Sequence, residues 1–359
     1  MIRAAVACGG TGGHLFPGLA TARVMRGRGH SVALWISGRD VEGEVLKVWD
    51  GEVVSVKASG MTGGLSLRTL AAVPRLFASC IRSYAVMRRQ RPDVLLAMGS
   101  YASVGPVVAA RCLGVPVILH EANAIPGRAI SFLSPLAEAV ALTFPSAAGH
   151  LKGRRHVVTG LPLRAELAAR ERAPRKPDDP FTVLVMGGSL GAHRLNEIAT
   201  EAMCRLHRCG APLRVVHLAG RADEASARAQ YESAGVTATV YGFLSTMSLA
   251  YDAADFVVAR AGAASCMEIA LCGLPALFVP LPWALRDHQT ANARSLEAAG
   301  AAEVAAQDEL TSERLASYLD ACRRDPEKLE RMGRQSRAFA IPNAAERLAD
   351  LLESASREK

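Results

Sequence analysis

The chain has 359 residues, half of them hydrophobic, and a formal net charge of +8. This length and composition provide two apolar cores of ordinary size, which excludes a disordered protein and a small scaffold. The positive charge favours an anionic partner. Because only 5% of the residues are aromatic and no nucleic-acid-binding motif is present, phosphorylated substrates and anionic lipid rank ahead of nucleic acid.

Short β-like runs alternate with helix-like segments through the first half of the chain, which predicts a parallel sheet covered by helices. The predicted strands are Ile2–Cys8, Val32–Ile36, Val53–Val56, Val94–Met98, Val115–His120, Val140–Thr143 and Val157–Thr159. The first strand leads directly into a glycine-rich turn, so we expect no signal peptide. The eight cysteines form no CxxC pair and lie mostly in apolar runs, which predicts reduced, buried thiols.

The glycine-rich turn GGTGGHLFPG, Gly9–Gly18, follows the first strand. Such a turn lets the backbone approach a phosphate, which the N–H groups of the next helix then bind. The turn is neither a full GxGxxG nor a GxxxxGK[ST], which weakens the dehydrogenase and P-loop interpretations. His14 stands at the predicted helix start, where it either accepts a proton from a substrate or only hydrogen-bonds its own loop.

The stretch Leu65–Arg91 combines apolar side chains with many arginines and contains no acidic residue. It predicts an amphipathic helix. Such a helix either packs on its own sheet or lies on an anionic lipid surface.

Polar residues follow two further predicted strands of this half. The sequence GSYAS, Gly99–Ser103, follows one of them, and HEANAIPG, His120–Gly127, follows the next. We expect His120, Glu121 and Asn123 to emerge at the carboxyl edge of the sheet, where ligands bind in open parallel sheets. The alternative is that Asn123 caps a helix and Glu121 is solvated.

The segment Arg164–Pro180 is rich in charge and proline and predicts the linker between two domains. The predicted domains are residues 1–163, joined by a last helix at 343–359 that packs back, and residues 164–342. Strands of the second domain are predicted at Thr182–Met186, Leu213–Leu218, Thr239–Tyr241, Phe256–Val258, Ala276–Val279 and Ala302–Val304.

The first turn is repeated in the second half, since AVACGGTGGH at Ala5–His14 returns as LVMGGSLGAH at Leu184–His193. The turn Gly187–Gly191 supplies a hydroxyl and several N–H groups at a helix start, which suits a diphosphate. Arg164 is placed to add positive charge.

Two more polar segments follow apolar strands in the second half. In ARAGAASCME, Gly262 opens a helix and Glu268 lies two turns in, where a sugar diol or a structural salt bridge would be its partner. In RDHQTANA, Gln289 is suited to binding sugar hydroxyls. No DxD, HExxH, Cys/His ligand spacing or GxSxG motif is present, so no metal, cofactor or acyl-enzyme chemistry is implied.

Seven segments, in this order, resemble the MurG family, which transfers N-acetylglucosamine (GlcNAc) from UDP-GlcNAc to lipid I in peptidoglycan synthesis. They are GGTGGHLFPGLA, GSYAS, HEAN, MGGSLGA, RAGA with its following Glu, GLPALFVPLP and DHQTANA. The resemblance implies a glycosyltransferase B fold, that is, α/β with two Rossmann-like doubly wound parallel-sheet domains facing a central cleft. The first domain would hold a lipid-linked acceptor on the membrane side, and the second would hold UDP-GlcNAc.

By matching position, the resemblance also implies functional residues. His14 and Glu121 would be catalytic, and the donor site would contain Thr11, Gly12, Gly13, Asn123, Arg164, Ser189, Leu244, Ala263, Ala264, Ser265, Cys266, Met267, Glu268 and Gln289. The chain departs from the family pattern at Leu190, Ala261 and Leu161, where the family often has Gln, Ser and Asn. These changes remove polar groups from the donor site and leave its backbone N–H groups in place.

The implied reaction is an inverting transfer of GlcNAc to the 4-hydroxyl of N-acetylmuramic acid in undecaprenyl-linked lipid I, with His14 preferred to Glu121 as the base. The implied location is peripheral, at the cytoplasmic face of an anionic cell membrane. Three alternatives remain: a related transferase with another lipid or small-molecule acceptor, a UDP-GlcNAc 2-epimerase, and a non-catalytic nucleotide-sugar-binding module.

Overall fold

The computed structural model describes residues 1–38, 49–56, 67–152, 155–163, 167, 179–187 and 192–357, with the backbone alone for 67–73. The chain divides into two compact units. The first unit comprises Met1–Ala165 and Pro342–Lys359, and the second comprises Glu166–Ile341. The predicted boundaries, 163/164 and 342/343, lie within two residues of these.

The described residues of the first unit form a parallel sheet of seven strands, β1 (Arg3–Ala7), β2 (Ser31–Ile36), β3 (Glu52–Ser55), β4 (Val94–Ala97), β5 (Val117–Glu121), β6 (Ala139–Leu142) and β7 (Arg155–Val158). Their order in the sheet is β3-β2-β1-β4-β5-β6-β7. Its helices are α1 (Gly12–Gly27), α2 (Leu67–Gln90), α3 (Val104–Cys112) and α4 (Arg128–Leu133). The strand order reverses between β1 and β4, and ligands of open α/β sheets bind outside the carboxyl ends of the strands at such a point.

The second unit repeats this plan with six parallel strands among its described residues, β8 (Phe181–Met186), β9 (Leu213–Leu218), β10 (Ala238–Tyr241), β11 (Phe256–Ala259), β12 (Ala276–Phe278) and β13 (Ala302–Val304). Their order in the sheet is β10-β9-β8-β11-β12-β13. The helices are α5 (His193–Arg208), α6 (Glu224–Ser233), α7 (Met247–Ala253), α8 (Ala263–Leu271), α9 (His288–Ala298), α10 (Ser312–Arg323) and α11 (Pro326–Phe339). Here the strand order reverses between β8 and β11.

The last helix, α12 (Ala344–Arg357), belongs to the first unit. Its apolar side chains Leu348 and Leu352 are fully buried in the cluster that also contains Leu15 and Met25. On its outer side, Glu353 pairs with Arg28 at 3.0 Å and with His30 at 3.1 Å. The helix therefore covers one face of the first sheet.

Every strand predicted from the sequence overlaps an observed strand, with ends that differ by at most two residues. The prediction of buried thiols was wrong for Cys112 and Cys209, which are exposed because they stand at the C-terminal ends of α3 and α5. Among the described residues, no helix combines the length and the apolar character that crossing a membrane requires.

Candidate functional site

The first glycine turn brings Thr11 and His14 together at the start of α1. Thr11 is the N-cap of this helix, but its hydroxyl does not cap the helix. Instead, the Thr11 Oγ1 atom lies 3.0 Å from the Nδ1 atom of His14. The turn leads into the helix through Thr11, Gly12 and Gly13, which are largely exposed. The N–H groups of a first helical turn have no partner within the helix, so this end of α1 is suited to an anion.

The imidazole of His14 lies close to the backbone at Gly99. A Cβ atom at Gly99 would lie 3.3 Å from His14 Cδ2 and 3.4 Å from Nε2, and Gly99 has a φ of +99°. Glycine therefore allows both the close approach and the left-handed backbone here. Ser100 also has a positive φ, 63°, and its hydroxyl donates to the Gly9 carbonyl at 2.9 Å. This hydrogen bond joins the loop after β4, at Gly99 and Ser100, to the loop after β1, at Gly9, next to the His14 imidazole.

Burial lowers the pKa of His14 to about 4. The imidazole is thus neutral at physiological pH, which is the form that accepts a proton. A second histidine, His120, is buried, and its Nε2 atom lies 3.0 Å from the Gly160 carbonyl. Burial lowers the pKa of His120 to about 4 as well, and the His14 charge adds to this effect. His120 lies within β5 and does not emerge at the sheet edge as predicted.

Glu121 ends β5 and turns its carboxylate into the loop that follows. Its Oε1 atom accepts hydrogen bonds from the Asn123 N–H at 2.8 Å and the Asn123 amide at 3.2 Å. Its Oε2 atom accepts from the Gly127 N–H at 2.8 Å. Burial raises the pKa of Glu121, and these N–H donors partly oppose that rise. The carboxylate thus holds the loop 121–127 in shape through backbone hydrogen bonds.

In the second unit, the glycine turn between β8 and α5, with Ser189 and Leu190, lies largely outside the described residues. Arg164, near the end of the first segment of the first unit, lies outside them as well. The predicted donor contacts of Ser189 and Arg164 therefore stay predictions. Leu244 is half-buried in the loop between β10 and α7.

Helix α8 begins at Ala263 directly after the switch-point strand β11, with Gly262 as an N-cap that has no side chain to occupy the helix end. Of the predicted donor residues on this helix, Ala264, Ser265 and Glu268 are half-buried. Ala263, Cys266 and Met267 are buried, because the helical period turns them toward the sheet. Of these three, only Ala263 lies in the first turn, where backbone N–H groups have no partner within the helix, whereas the Cys266 N–H already donates to the Gly262 carbonyl at 2.9 Å.

The carboxylate of Glu268 has a partner within its own unit. The hydroxyl of the buried Tyr251, in α7, donates to Glu268 Oε2 at 2.8 Å. The sequence indicated that this carboxylate needs a partner, either a sugar diol or a salt bridge. Tyr251 was missed, because nothing in the sequence spacing connects α7 to α8. The hydroxyl fixes the direction of the carboxylate.

Gln289 is oriented by two backbone donors. Its Oε1 atom accepts from the Leu281 N–H at 3.0 Å and from the Ala261 N–H at 3.3 Å. Asn292, one turn further along α9, donates to the Ala261 carbonyl at 3.1 Å. The side-chain oxygen of Gln289 is thus occupied by backbone donors, whereas its NH₂ group forms no hydrogen bond within the described part of the chain. Both of these hydrogen bonds are made by the backbone of Ala261. They therefore do not depend on whether this position carries Ala or the family's Ser.

The described residues contain no group of three or more His, Cys, Asp or Glu side chains placed to hold a metal ion. The chemistry available to them is proton acceptance at His14 and anion binding at the starts of α1 and α8.

Comparisons with known proteins match both units. Residues 4–142 match the glycosyltransferase family 28 N-terminal domain, and residues 182–348 match the C-terminal domain of the same family. A curated protein of Halorhodospira halophila is 42% identical over 97% of both chains; its name is UDP-N-acetylglucosamine–N-acetylmuramyl-(pentapeptide) pyrophosphoryl-undecaprenol N-acetylglucosamine transferase. The chain belongs to the MurG family.

The structural comparison agrees with this membership. The crystal structure of Acinetobacter baumannii MurG matches with a TM-score of 0.82 and 31% identity, over 99% of this chain and 100% of the other. The predicted fold class, a glycosyltransferase B fold of two parallel-sheet domains, is confirmed. A UDP-GlcNAc 2-epimerase of Neisseria meningitidis matches with a TM-score of 0.71 but only 13% identity, over 98% of this chain and 100% of the other. That likeness shows the fold alone, and MurG membership rests on the other two proteins.

Proposed function

We propose that this protein transfers GlcNAc from UDP-GlcNAc to the 4-hydroxyl of the N-acetylmuramic acid (MurNAc) in undecaprenyl-diphospho-MurNAc-pentapeptide, which converts lipid I to lipid II. The observation that carries this proposal is the 42% identity, over 97% of both chains, to the Halorhodospira halophila protein whose name describes this transfer. The neutral His14 in the first unit and the oriented Gln289 and Glu268 in the second support it.

In this proposal the second unit binds the donor. The start of α8 provides N–H groups and the positive end of a helix dipole for the diphosphate, and Ser189 and Arg164 add to that site. The Gln289 NH₂ group donates to a sugar hydroxyl, and the Glu268 carboxylate accepts from a sugar diol. The first unit binds the acceptor, with His14 as the base, and Asn123 adds a polar contact to the donor.

The proposed step is a single displacement. The acceptor oxygen forms a bond to the anomeric carbon of GlcNAc, the bond from that carbon to the UDP oxygen breaks, and the configuration inverts. The proton of the acceptor hydroxyl passes to His14 Nε2, and the electron pair of the broken bond leaves on UDP. Because Nε2 must carry the lone pair, Nδ1 must carry the hydrogen and donate it to Thr11 Oγ1, 3.0 Å away.

The test is UDP release from UDP-GlcNAc by the purified protein, with and without a lipid I analogue in detergent, and with the disaccharide product counted. We expect UDP release only with the acceptor, and one disaccharide for each UDP. UDP-GlcNAc binding with no transfer to lipid I would overturn the proposal in favour of another acceptor or the epimerase reaction. A folded His14→Ala variant with near-normal turnover would overturn the assignment of the base.

We also propose that α2 places the first unit on an anionic membrane, peripherally and at the cytoplasmic face. The side chains of Phe77, Ile81 and Tyr84 on α2 are 67%, 57% and 39% exposed. Arg75 and Arg82 are exposed on the same helix, which contains no acidic residue. Exposed apolar and cationic side chains on one helix suit the interface of an anionic bilayer.

Vesicle co-sedimentation tests this second proposal. We expect binding to phosphatidylglycerol vesicles that decreases at least several-fold in the Phe77→Ser/Ile81→Ser double variant, because each apolar side chain adds burial in the interface. Equal sedimentation of both proteins would overturn it. The matched control, Phe243→Ser, removes an equally exposed aromatic side chain from the second unit, where Phe243 is 69% exposed.

A further inference from the structure

Arg260 follows β11 directly and is buried, with 5% of its surface exposed. Its Nη1 atom donates to the carbonyls of Val279 at 3.0 Å and Pro280 at 3.2 Å. Its Nη2 atom donates to the side-chain oxygen of Gln307. The Nε atom is buried and has no hydrogen-bond partner among the described residues.

All three acceptors of this guanidinium are neutral. Within the described part of the chain, Arg260 forms no ion pair with a carboxylate, and burial lowers its pKa with no opposing acid. An arginine nevertheless keeps its proton in proteins. A buried charge that no opposite charge neutralises is costly, so a neutral side chain would serve better if the fold needed only these hydrogen bonds. The hydrogen bonds alone therefore do not explain why a charged side chain stands at this position.

The position of Arg260 indicates what this charge does. It immediately precedes Ala261, whose N–H and carbonyl are bonded to Gln289 and Asn292, and Gly262, the N-cap of α8. Its charge has the same sign as the dipole end of α8, at the point where the strand order of the sheet reverses. Charge of one sign accumulated at a helix start attracts an anion.

We propose that Arg260 is a positioning residue whose fixed charge favours the diphosphate of the donor over an uncharged nucleoside, without contacting it. This inference rests on the proposed function, because it takes UDP as the ligand of the second unit. The charge attracts UDP both as part of the donor and as the departing group. The hydrogen bonds to the Val279 and Pro280 carbonyls hold the guanidinium in place.

The experiment compares the binding of UDP and of uridine by calorimetry in the full-length protein and three variants. Arg260→Met removes the charge, and Arg260→Lys keeps it without the forked donors. Gln307→Leu, the matched control, removes one hydrogen bond and keeps the guanidinium. We expect Arg260→Met to lower the UDP-to-uridine affinity ratio about tenfold, as expected for a charge acting through a partly polar medium, and the other two to keep it within about twofold.

Several outcomes would overturn the inference. One is an equal loss of UDP and uridine affinity in Arg260→Met, which is the signature of a merely structural residue. Another is a ratio in Arg260→Lys as low as that in Arg260→Met. If Arg260→Met does not fold, Arg260→Lys decides alone: a tenfold lower ratio in this charged variant overturns the inference. A parent protein that binds neither UDP nor uridine would instead overturn the proposed function.

Discussion

Glu121 Oε2 accepts the backbone N–H of Gly127 at 2.8 Å, and Gly127 is the N-cap of α4. The carboxylate thus joins the end of β5 to the start of the next helix. We expect Glu121→Gln to lower the stability of the first unit by about 1–3 kcal/mol, because an amide has only one oxygen and its NH₂ group would face an N–H donor. Thermal unfolding measures this change.

The same variant separates the loop role from a base role. A loop role predicts that turnover falls together with stability and that the pH dependence of the remaining activity is unchanged. An unaltered unfolding temperature together with lost turnover and a shifted pH profile would contradict it, and would identify Glu121 as the base instead.

The fold was predictable because its signals are local. A buried strand such as Val94–Ala97 is a continuous apolar run, and the glycines after β1 and β8 mark strand-to-helix turns. The strand ends could not be predicted to the residue, since the sequence does not show that β5 extends to Glu121.

The candidate site was predictable only in part, because its decisive contacts join distant residues. Thr11 and His14 are three residues apart, so their contact is within reach of sequence reasoning. The Tyr251–Glu268 and Arg260–Gln307 contacts join residues 17 and 47 positions apart, and both depend on how the helices pack on the sheet. Arg260 stood inside the RAGA motif, but its burial without an acid is visible only in the structure.

Thr11 sets the tautomer of His14 if His14 is the base. We expect Thr11→Val to lower kcat about tenfold, because Nδ1–H then loses its acceptor, with little change in the KM for UDP-GlcNAc. Thr11→Ser keeps the hydroxyl and is the matched control, which we expect to retain most of the activity. A higher KM with unchanged kcat would instead make Thr11 a donor-binding residue.

Tyr251 holds the carboxylate that we propose for the donor. We expect Tyr251→Phe to weaken UDP binding about tenfold, because removing the hydroxyl releases the direction of Glu268 and takes a hydrogen bond from a charged group. The control is Tyr231→Phe, which removes another buried hydroxyl of the same unit, 3.0 Å from His217 Nδ1. Calorimetry should show normal UDP affinity in the control, and equal losses in both variants would refute a specific role for Tyr251.

His217 makes the stability of the second unit depend on pH. It is fully buried, it contacts Tyr231 and Asn196, and burial lowers its pKa from 6.5 to about 4. The unfolded chain therefore binds a proton at higher pH than the folded chain, so stability is lost as the pH falls from 6.5 toward 4. Between pH 7 and pH 5 we expect a loss of about 1–2 kcal/mol from this group.

Urea denaturation at both pH values, in the parent and in His217→Gln, measures the contribution of this histidine. The variant lacks the titrating group and should lose less stability on acidification, whatever its stability at pH 7. Identical losses in the two proteins would show that His217 does not titrate as its burial predicts.

We expect apolar packing, and not the surface ion pairs of α12, to hold this helix on the first unit. Leu352 is fully buried among Leu15 and Met25, and we expect Leu352→Ala to cost about 2–5 kcal/mol in the free energy of unfolding, since it leaves a cavity. Asp350 on the same helix pairs with Arg28 at 2.6 Å, but its side chain is 64% exposed. We expect Asp350→Ala to cost less than about 1 kcal/mol, because water and salt screen such a pair.

Urea denaturation in low and high salt compares the two variants. A larger loss from Asp350→Ala than from Leu352→Ala, decreasing with salt, would show that charge and not apolar burial holds the helix.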